Sequence, residues 1–280
     1  MRLLLHIFSL ASQLWLWFFD RFILYPLLKF VAPKLGVRFM NLGYWPSMRQ
    51  DDIKMKLFLR DIEDLPEYEA DRAHINLYEK ALSMHPSYPE FEGLEILEVS
   101  CGQGYSLEWI ENWHGPTRCV IGCDKVVTRN VPNIVYGDAA DLPFADESFD
   151  FVLNVEAAHL YSNFPMFLDE CSRVLKPGGV FCWLDIRYPH EIETVQNKAK
   201  DAGFEMKYFE HINEDVIVGL NYTAKKYDEI LEGAPFFVKM FRNSLRATYC
   251  APGTATYERL RNRQRVYLAA MWIKKANEEE

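Results

Sequence analysis

Apolar and polar positions change rhythm along this chain, and each change marks a different kind of element. From Leu3 to Phe19 the run LLLHIFSLASQLWLWFF has no formal charge besides the titratable His6. Residues 41–92 are mixed, with a helical stretch in DRAHINLYEKALSM whose Ile75, Leu77, Tyr78 and Leu82 form one apolar face. From Leu94 onward, short apolar runs alternate with helical stretches, the pattern of a parallel sheet covered by helices on both faces, an α/β fold. Strands are expected at LEILEV, RCVIGCD, NIVY, FDFVLNV and VFCWLDI. A helix starting near Phe164 should stop at LKPGG, where Pro177 and two glycines turn the chain into the next strand. Beyond Pro189 the pattern predicts helices near 190–201 and 213–246, a strand at FEMKYFE and a last strand at VYLAAMWI. This divides the chain into a hydrophobic segment 1–31, a linker and helical lid segment 32–92, and an α/β domain 93–280.

The first segment is at the lower limit for a bilayer span, which takes about 17–25 apolar residues. Trp15, Trp17 and Tyr25 suit an interfacial aromatic belt, and Arg21, Lys29, Lys34 and Arg38 accumulate on its C-terminal side against Arg2 alone on the other. The segment is expected to anchor the chain, by spanning the membrane or lying on it, with the α/β domain on the cytosolic side of a membrane such as the endoplasmic reticulum. A cleaved signal peptide and a buried helix are the rivals. The signal peptide lacks a small-x-small site, and the apolar character continues through FILYPLLKFV.

Composition narrows the partners. A formal net charge of −9 argues against a nucleic-acid partner, since such binding rests on neutralising phosphates with Lys and Arg. Cys101, Cys119, Cys123, Cys171, Cys182 and Cys250 lie scattered without CxxC pairs and read as reduced core thiols. HExxH, GxxxxGK[ST] and GxSxG are all missing from the sequence, and no metal site is expected.

The chemistry concentrates where LEILEV meets Ser100-Cys101-Gly102-Gln103-Gly104 and then the helical YSLEWIENW. A glycine turn between a strand and a helix N-terminus is where a nucleotide cofactor binds, because glycine lets the backbone approach the ligand. Glu98, just before the turn, suits a cationic amino acid better than a pyrophosphate. The next strand ends in Asp124, placed to accept ribose hydroxyls, as in a dinucleotide oxidoreductase. Leu107 stands where the dinucleotide fingerprint needs a third small residue, which weakens that reading. The third and fourth strands bring Asp138, with Ala139, and Asn154 to the same edge.

EVSCGQG, GDAADLPFADESFDFVLNVEAAH and FLDECSRVLKPGG resemble the cofactor motifs of class I S-adenosylmethionine-dependent methyltransferases. More narrowly, RAHINLYEKAL, LEVSCGQG and LNVEAAHLY resemble the phthiotriol/phenolphthiotriol dimycocerosate methyltransferase family, over roughly residues 70–190. The resemblance implies a Rossmann-like, seven-stranded, mostly parallel sheet with a final antiparallel hairpin. It also implies S-adenosylmethionine contacts at Glu98, Ser100, Gly102, Gly104, Asp124, Asp138, Ala139 and Asn154. One departure stands out: Asp138 follows Asp124 by only 14 residues, where the family places a helix of several turns. DKVVTRNVPNIVYGD leaves room for about one turn of 3.6 residues, so this connection reads as a shortened loop at the wall of the adenine pocket, with an impaired cofactor site or an isoform as the alternatives.

The substrate implied is a hydrophobic small-molecule methyl acceptor. Methyl transfer to an alcohol needs a base, and His159, just past the fourth strand, brings an imidazole with a pKa of about 6.5. Asp185, at the end of the fifth strand, could orient it; the plainer readings are a pocket-lining histidine and an aspartate that caps a helix or pairs with Arg187. His74 and Tyr78, one helical turn apart, either line the pocket or form a satisfied pair. O-methylation leads the expectations. S-methylation of thiols or sulfide, where the nucleophile ionises near neutrality, is the alternative. A silent methyltransferase-fold binding protein and a dehydrogenase follow.

Overall fold

A computed structural model describes residues 36–46, 53–127, 129, 131–239 and 241–276. The expected anchor in 1–31 lies outside the described residues. Among those described, no helix is long and apolar enough to cross a membrane. The chain divides into a unit ending at Arg38 and a compact unit from Phe39 to Glu280; the site lies in the second.

Seven strands form one sheet: β1 (Glu95–Val99), β2 (Cys119–Asp124), β3 (Ile134–Tyr136), β4 (Phe149–Val155), β5 (Leu175–Arg187), β6 (Phe204–His211) and β7 (Val266–Lys274), in the order β3-β2-β1-β4-β5-β7-β6. Only β7 runs antiparallel to its neighbours. Every expected strand is present. The central strands read as continuous apolar runs because helices cover both faces, and β3 at the edge is three residues long, with Tyr136 exposed.

One face carries Ile96, Phe151, Leu153, Cys182, Leu184 and Met271 under α1 (Ile53–Ile62), α2 (Pro66–Ser83), α3 (Tyr105–Trp113) and α6 (Asn213–Gly233). The other carries Leu97, Val152, Phe181, Trp183, Leu268 and Trp272 under α4 (Phe164–Val174) and α5 (Ile192–Asp201). Helix α4 starts under an Asn163 cap that accepts from the Met166 amide at 3.2 Å, and ends at Val174. Strand β5 then begins at once, and Lys176 to Gly179 form its irregular opening, where the pairing with β4 shifts register. The long C-terminal helix expected over 213–246 breaks at Gly233. Pro235 drives Ala234 to an extended conformation (ψ 156°), and two short helices follow, α7 (Phe236–Lys239) and α8 (Arg242–Thr248).

The helix expected as a lid, α2, is instead fixed in the core. Fully buried Glu79 accepts from Tyr88 Oη at 2.6 Å, Trp109 Nε1 at 2.7 Å and His114 Nε2 at 2.8 Å. Three charge-assisted bonds offset the cost of burying the carboxylate, and α2 thereby holds Tyr78 and His74 in place. What crosses the edge of the sheet is a strap, Phe39–Trp45. Its backbone is tied by Tyr44 N to Ala73 O (2.8 Å), Trp45 N to Asp215 O (3.0 Å) and Thr223 Oγ1 to Leu42 O (3.0 Å).

Candidate active site

Parallel strands deliver their C-terminal ends to one edge, so the turns after β1, β2, β4 and β5 meet there. After β1, Ser100 takes left-handed backbone (φ 62°), and its amide donates to Cys123 O at 2.7 Å. After β4, Glu156 does the same (φ 52°), donating to Leu184 O at 2.7 Å. Such backbone costs of order 1–3 kcal/mol in a non-glycine residue and clusters at functional sites. Gly102 (φ 59°) needs the same freedom, and a side chain there would meet only Met40 of the strap, 3.8 Å away. The turn therefore leaves open space above Gly102. Gly104 (φ 76°) has no such room, because a Cβ would sit 2.6 Å from Ile134 Cδ1.

Glu98 lies beneath this turn with no exposed surface. Its Oε1 accepts from Tyr78 Oη at 2.9 Å and its Oε2 from Ser106 Oγ, and burial raises its pKa to about 7. In this state it props the turn; it offers no open face to a ligand. Asp124, at the end of β2, accepts from Gly102 N at 2.9 Å and Val126 N at 2.8 Å. A carboxylate has room for about four donors, so ribose hydroxyls can join these amides. Asn154 donates to Val99 O (2.8 Å) and Tyr161 Oη (2.9 Å), and Tyr161 Oη lies 2.6 Å from Ser100 Oγ. Asn154 Oδ1 is buried with no hydrogen-bond partner. That orphaned acceptor, the open space over Gly102 and the Asp124 carboxylate fit the donors and bulk of S-adenosylmethionine.

Asp138 and Ala139 stand at the end of β3. Asp138 pairs with Lys125 at 2.7 Å and accepts from Ala140 N at 3.1 Å; the bond to Lys125 lowers its pKa. No helix lies between β2 and β3 among the described residues. Within this connection Arg129 clamps the start of α3: its guanidinium lies 4.1 Å over the Tyr105 ring, donates to Gln103 O at 3.0 Å and pairs with Glu108 at 2.8 Å. Sequence reasoning saw the short connection and not this clamp, since a lone arginine in a loop carries no periodic signal.

Across the same edge, His159 lies on a single turn of 3-10 helix, Ala158–Leu160. Its Nδ1 is 2.6 Å from Asp185 Oδ1, which also accepts from Ile186 N at 2.8 Å. Asp185 Oδ2 faces Arg187 Nη2 at 3.1 Å. The plain reading of Asp185 as a partner of Arg187 and its reading as the group that orients the imidazole thus meet in one residue. Burial pulls the His159 pKa down, but the Asp185 charge and hydrogen bond outweigh it and leave the pKa raised. The Arg187 guanidinium, itself buried, stacks on Phe164 (4.4 Å) and Trp183 (5.4 Å) and lowers the His159 pKa from the far side.

Glu156 is the residue most underweighted by sequence. Its Oε2 accepts from Tyr267 Oη at 2.7 Å and Leu42 N at 2.8 Å, binding the strap to the sheet, and burial raises its pKa to about 7. An acid next to the fourth-strand asparagine was the available signal; partners 111 and 114 residues away were not. His74, by contrast, stands apart from the reacting edge. It lies 3.0 Å from Asn41 Oδ1 and 3.0 Å from Tyr227 Oη, and burial lowers its pKa to about 4. It is a neutral, satisfied histidine that holds the strap. Among the described residues, no cluster of three or more His, Cys, Asp or Glu is placed to hold a metal ion.

Comparison with known proteins agrees with this geometry. Residues 97–183 match the model of a methyltransferase domain. A probable phthiotriol/phenolphthiotriol dimycocerosates methyltransferase 2 of Mycobacterium ulcerans is 37% identical over 197 residues, covering 66% of this chain and 74% of the relative. A fatty-acid O-methyltransferase of Mycolicibacterium smegmatis is 31% identical over 250 residues, covering 86% and 84%. Among solved structures, the cyclase SpnF superposes with a TM-score of 0.64 at 16% identity, covering 90% of this chain and 96% of its own. A geranyl diphosphate C-methyltransferase from Streptomyces coelicolor A3(2), in complex with S-adenosyl-L-homocysteine, gives 0.53 at 12% identity, covering 87% and 92%.

Proposed function

This chain belongs to the phthiotriol/phenolphthiotriol dimycocerosates methyltransferase family of S-adenosylmethionine-dependent methyltransferases, and from that premise we propose that it methylates an oxygen of a hydrophobic, lipid-like small molecule. The observation that carries the proposal is the His159–Asp185 pair at the ligand-binding edge, 2.6 Å between Nδ1 and Oδ1. The named relatives act on lipid-related acceptors.

When bound, S-adenosylmethionine supplies an electrophilic methyl group on a cationic sulfonium. The glycine turn, Asp124 and Asn154 would hold it. His159 donates its Nδ1 proton to Asp185, which leaves Nε2 as the basic atom of the neutral ring. Nε2 would take the proton of a bound acceptor hydroxyl, and Asp185 would stabilise the imidazolium so formed. Arg187 pairs with the other oxygen of Asp185. The strap and the aromatic walls keep water from the reacting atoms. Because the base must be neutral, turnover should rise with pH through the raised His159 pKa.

A transfer assay with labelled S-adenosylmethionine across long-chain alcohols, sterols, quinols, fatty acids and thiols tests the reading. Transfer to thiols alone would replace it with S-methylation, and binding of the cofactor without transfer would leave a silent member of the family. The apolar run at 3–19 is proposed as the membrane tether, with the catalytic domain on the cytosolic side. Deleting residues 1–31 should release the chain from carbonate-washed membranes; continued pelleting would put the tether elsewhere.

A further inference from the structure

Between Glu232 and Glu258 the chain runs 25 residues without an acidic side chain, although it holds 40 acids among 280 residues and a net charge of −9. The stretch carries Lys239, Arg242 and Arg246. Its inner end is fastened to the domain. Leu245 and Ala251 are buried, Arg246 and Tyr249 bond to Asp228 at 2.9 and 2.7 Å, and the Tyr249 ring packs 5.1 Å from Tyr227. The outer end stands out from it. Phe236 is 80% exposed and Phe241 40%, with Lys239 and Arg242 exposed beside them. The pair between Arg242 and Glu232, 3.9 Å apart and exposed, is too weak to neutralise the patch.

Two further observations relate this flap to the reacting edge. Cys250, at its base, is half-buried, and burial, with a smaller push from the Glu156 charge, raises its thiol to about 11. Tyr227, on which Tyr249 packs, donates to Phe39 O of the strap at 2.7 Å. The base of the flap is thereby tied to the strap, which Glu156 joins to the sheet.

Exposed aromatic rings beside exposed cations, in a stretch with no acidic residue of its own, match the headgroup layer of an anionic membrane. The rings sit at the headgroup level, and the cations meet the negative surface potential. We propose that residues 235–246 dock on an anionic lipid bilayer, with Phe236 and Phe241 at the headgroup level and Lys239 and Arg242 against the lipid anions. The acceptor site then opens toward the phase in which a lipid-like molecule dissolves.

Hydrogen–deuterium exchange on the full chain tests this with a local readout, using phosphatidylcholine vesicles with and without phosphatidylserine. Amide exchange in 235–246 should slow with the anionic vesicles and recover at high salt. The Lys239→Glu/Arg242→Glu variant should lose the protection and bind anionic vesicles at least 25-fold more weakly, since each basic residue near such a surface contributes roughly fivefold. Phe236→Ser/Phe241→Ser should also lose protection, and both variants should keep turnover on a water-soluble acceptor. Attachment through residues 1–38 alone would leave exchange in 235–246 unchanged on vesicles, and that result overturns the proposal. Protection by soluble polyglutamate and not by vesicles would also overturn it, assigning the surface to an acidic protein.

Discussion

On the cofactor side of the sheet edge, the polar groups are held mostly by backbone and by neutral hydroxyls. Asp124 takes two amides, Asn154 a carbonyl and a phenol, and Glu98 two hydroxyls. On the acceptor side, one carboxylate is shared between two basic side chains, His159 and Arg187, and a second, Glu156, joins the strap to β7. The first arrangement fixes a shape, and the second sets protonation near neutrality. Substitutions on the two sides should therefore fail differently: the cofactor side in affinity, the acceptor side in rate and pH dependence.

The largest effect expected is on the acceptor side. His159→Ala should lower turnover on an alcohol by about 100- to 10,000-fold, the usual contribution of a general base. Affinity for S-adenosylhomocysteine, read by titration calorimetry, should be little changed. Full turnover in that variant would reduce His159 to a pocket wall. On a thiol acceptor, which supplies its own thiolate, the loss should be much smaller.

Asp124→Ala is the mirror experiment. It removes the carboxylate proposed to accept the ribose hydroxyls and should weaken cofactor binding by about 1–3 kcal/mol. Rate at saturating cofactor should fall less. Unchanged cofactor affinity would take Asp124 out of the site.

Glu98 links shape to pH. Burial raises its folded pKa from 4.5 to about 7, so between these values the folded state holds a proton that the unfolded state has released. Its contribution to stability is full below pH 4.5 and is lost as pH rises to about 7, by on the order of 3 kcal/mol. Glu98→Gln should flatten that part of the profile in denaturant titrations at stepped pH. An unaltered slope would mean that Glu98 stays ionised beneath the turn.

The smallest effect sharpens the acceptor side. Arg187 competes with His159 for Asp185, so Arg187→Met should move the acidic limb of the pH–rate profile upward while leaving cofactor affinity intact. Arg187→Lys should restore part of the shift. A limb that does not move would confine Arg187 to packing between Phe164 and Trp183.

The sheet was legible because strands buried on both faces write themselves as apolar runs. The glycine turn was legible because left-handed backbone over open space selects glycine at 102. Harder to see was anything made by residues far apart in sequence. Asp185 showed only a strand-end acid with an arginine two residues on, and its 26-residue reach to His159 carries no periodic mark. The strap is shorter still, seven residues without a repeat, held by bonds to α2 and α6.

By itself, the sequence determined the α/β architecture, the strand and turn that receive the cofactor, and the acids brought to one edge, because each is encoded by local periodicity and backbone conformation. Tertiary structure alone decided which titratable groups act. It buried His74 between Asn41 and Tyr227 and lowered its pKa to about 4, and it placed His159 on an ionised partner that raises its pKa. The two histidines share one intrinsic chemistry. Desolvation and neighbouring charge, which depend on what the fold brings within a few ångströms, separate them.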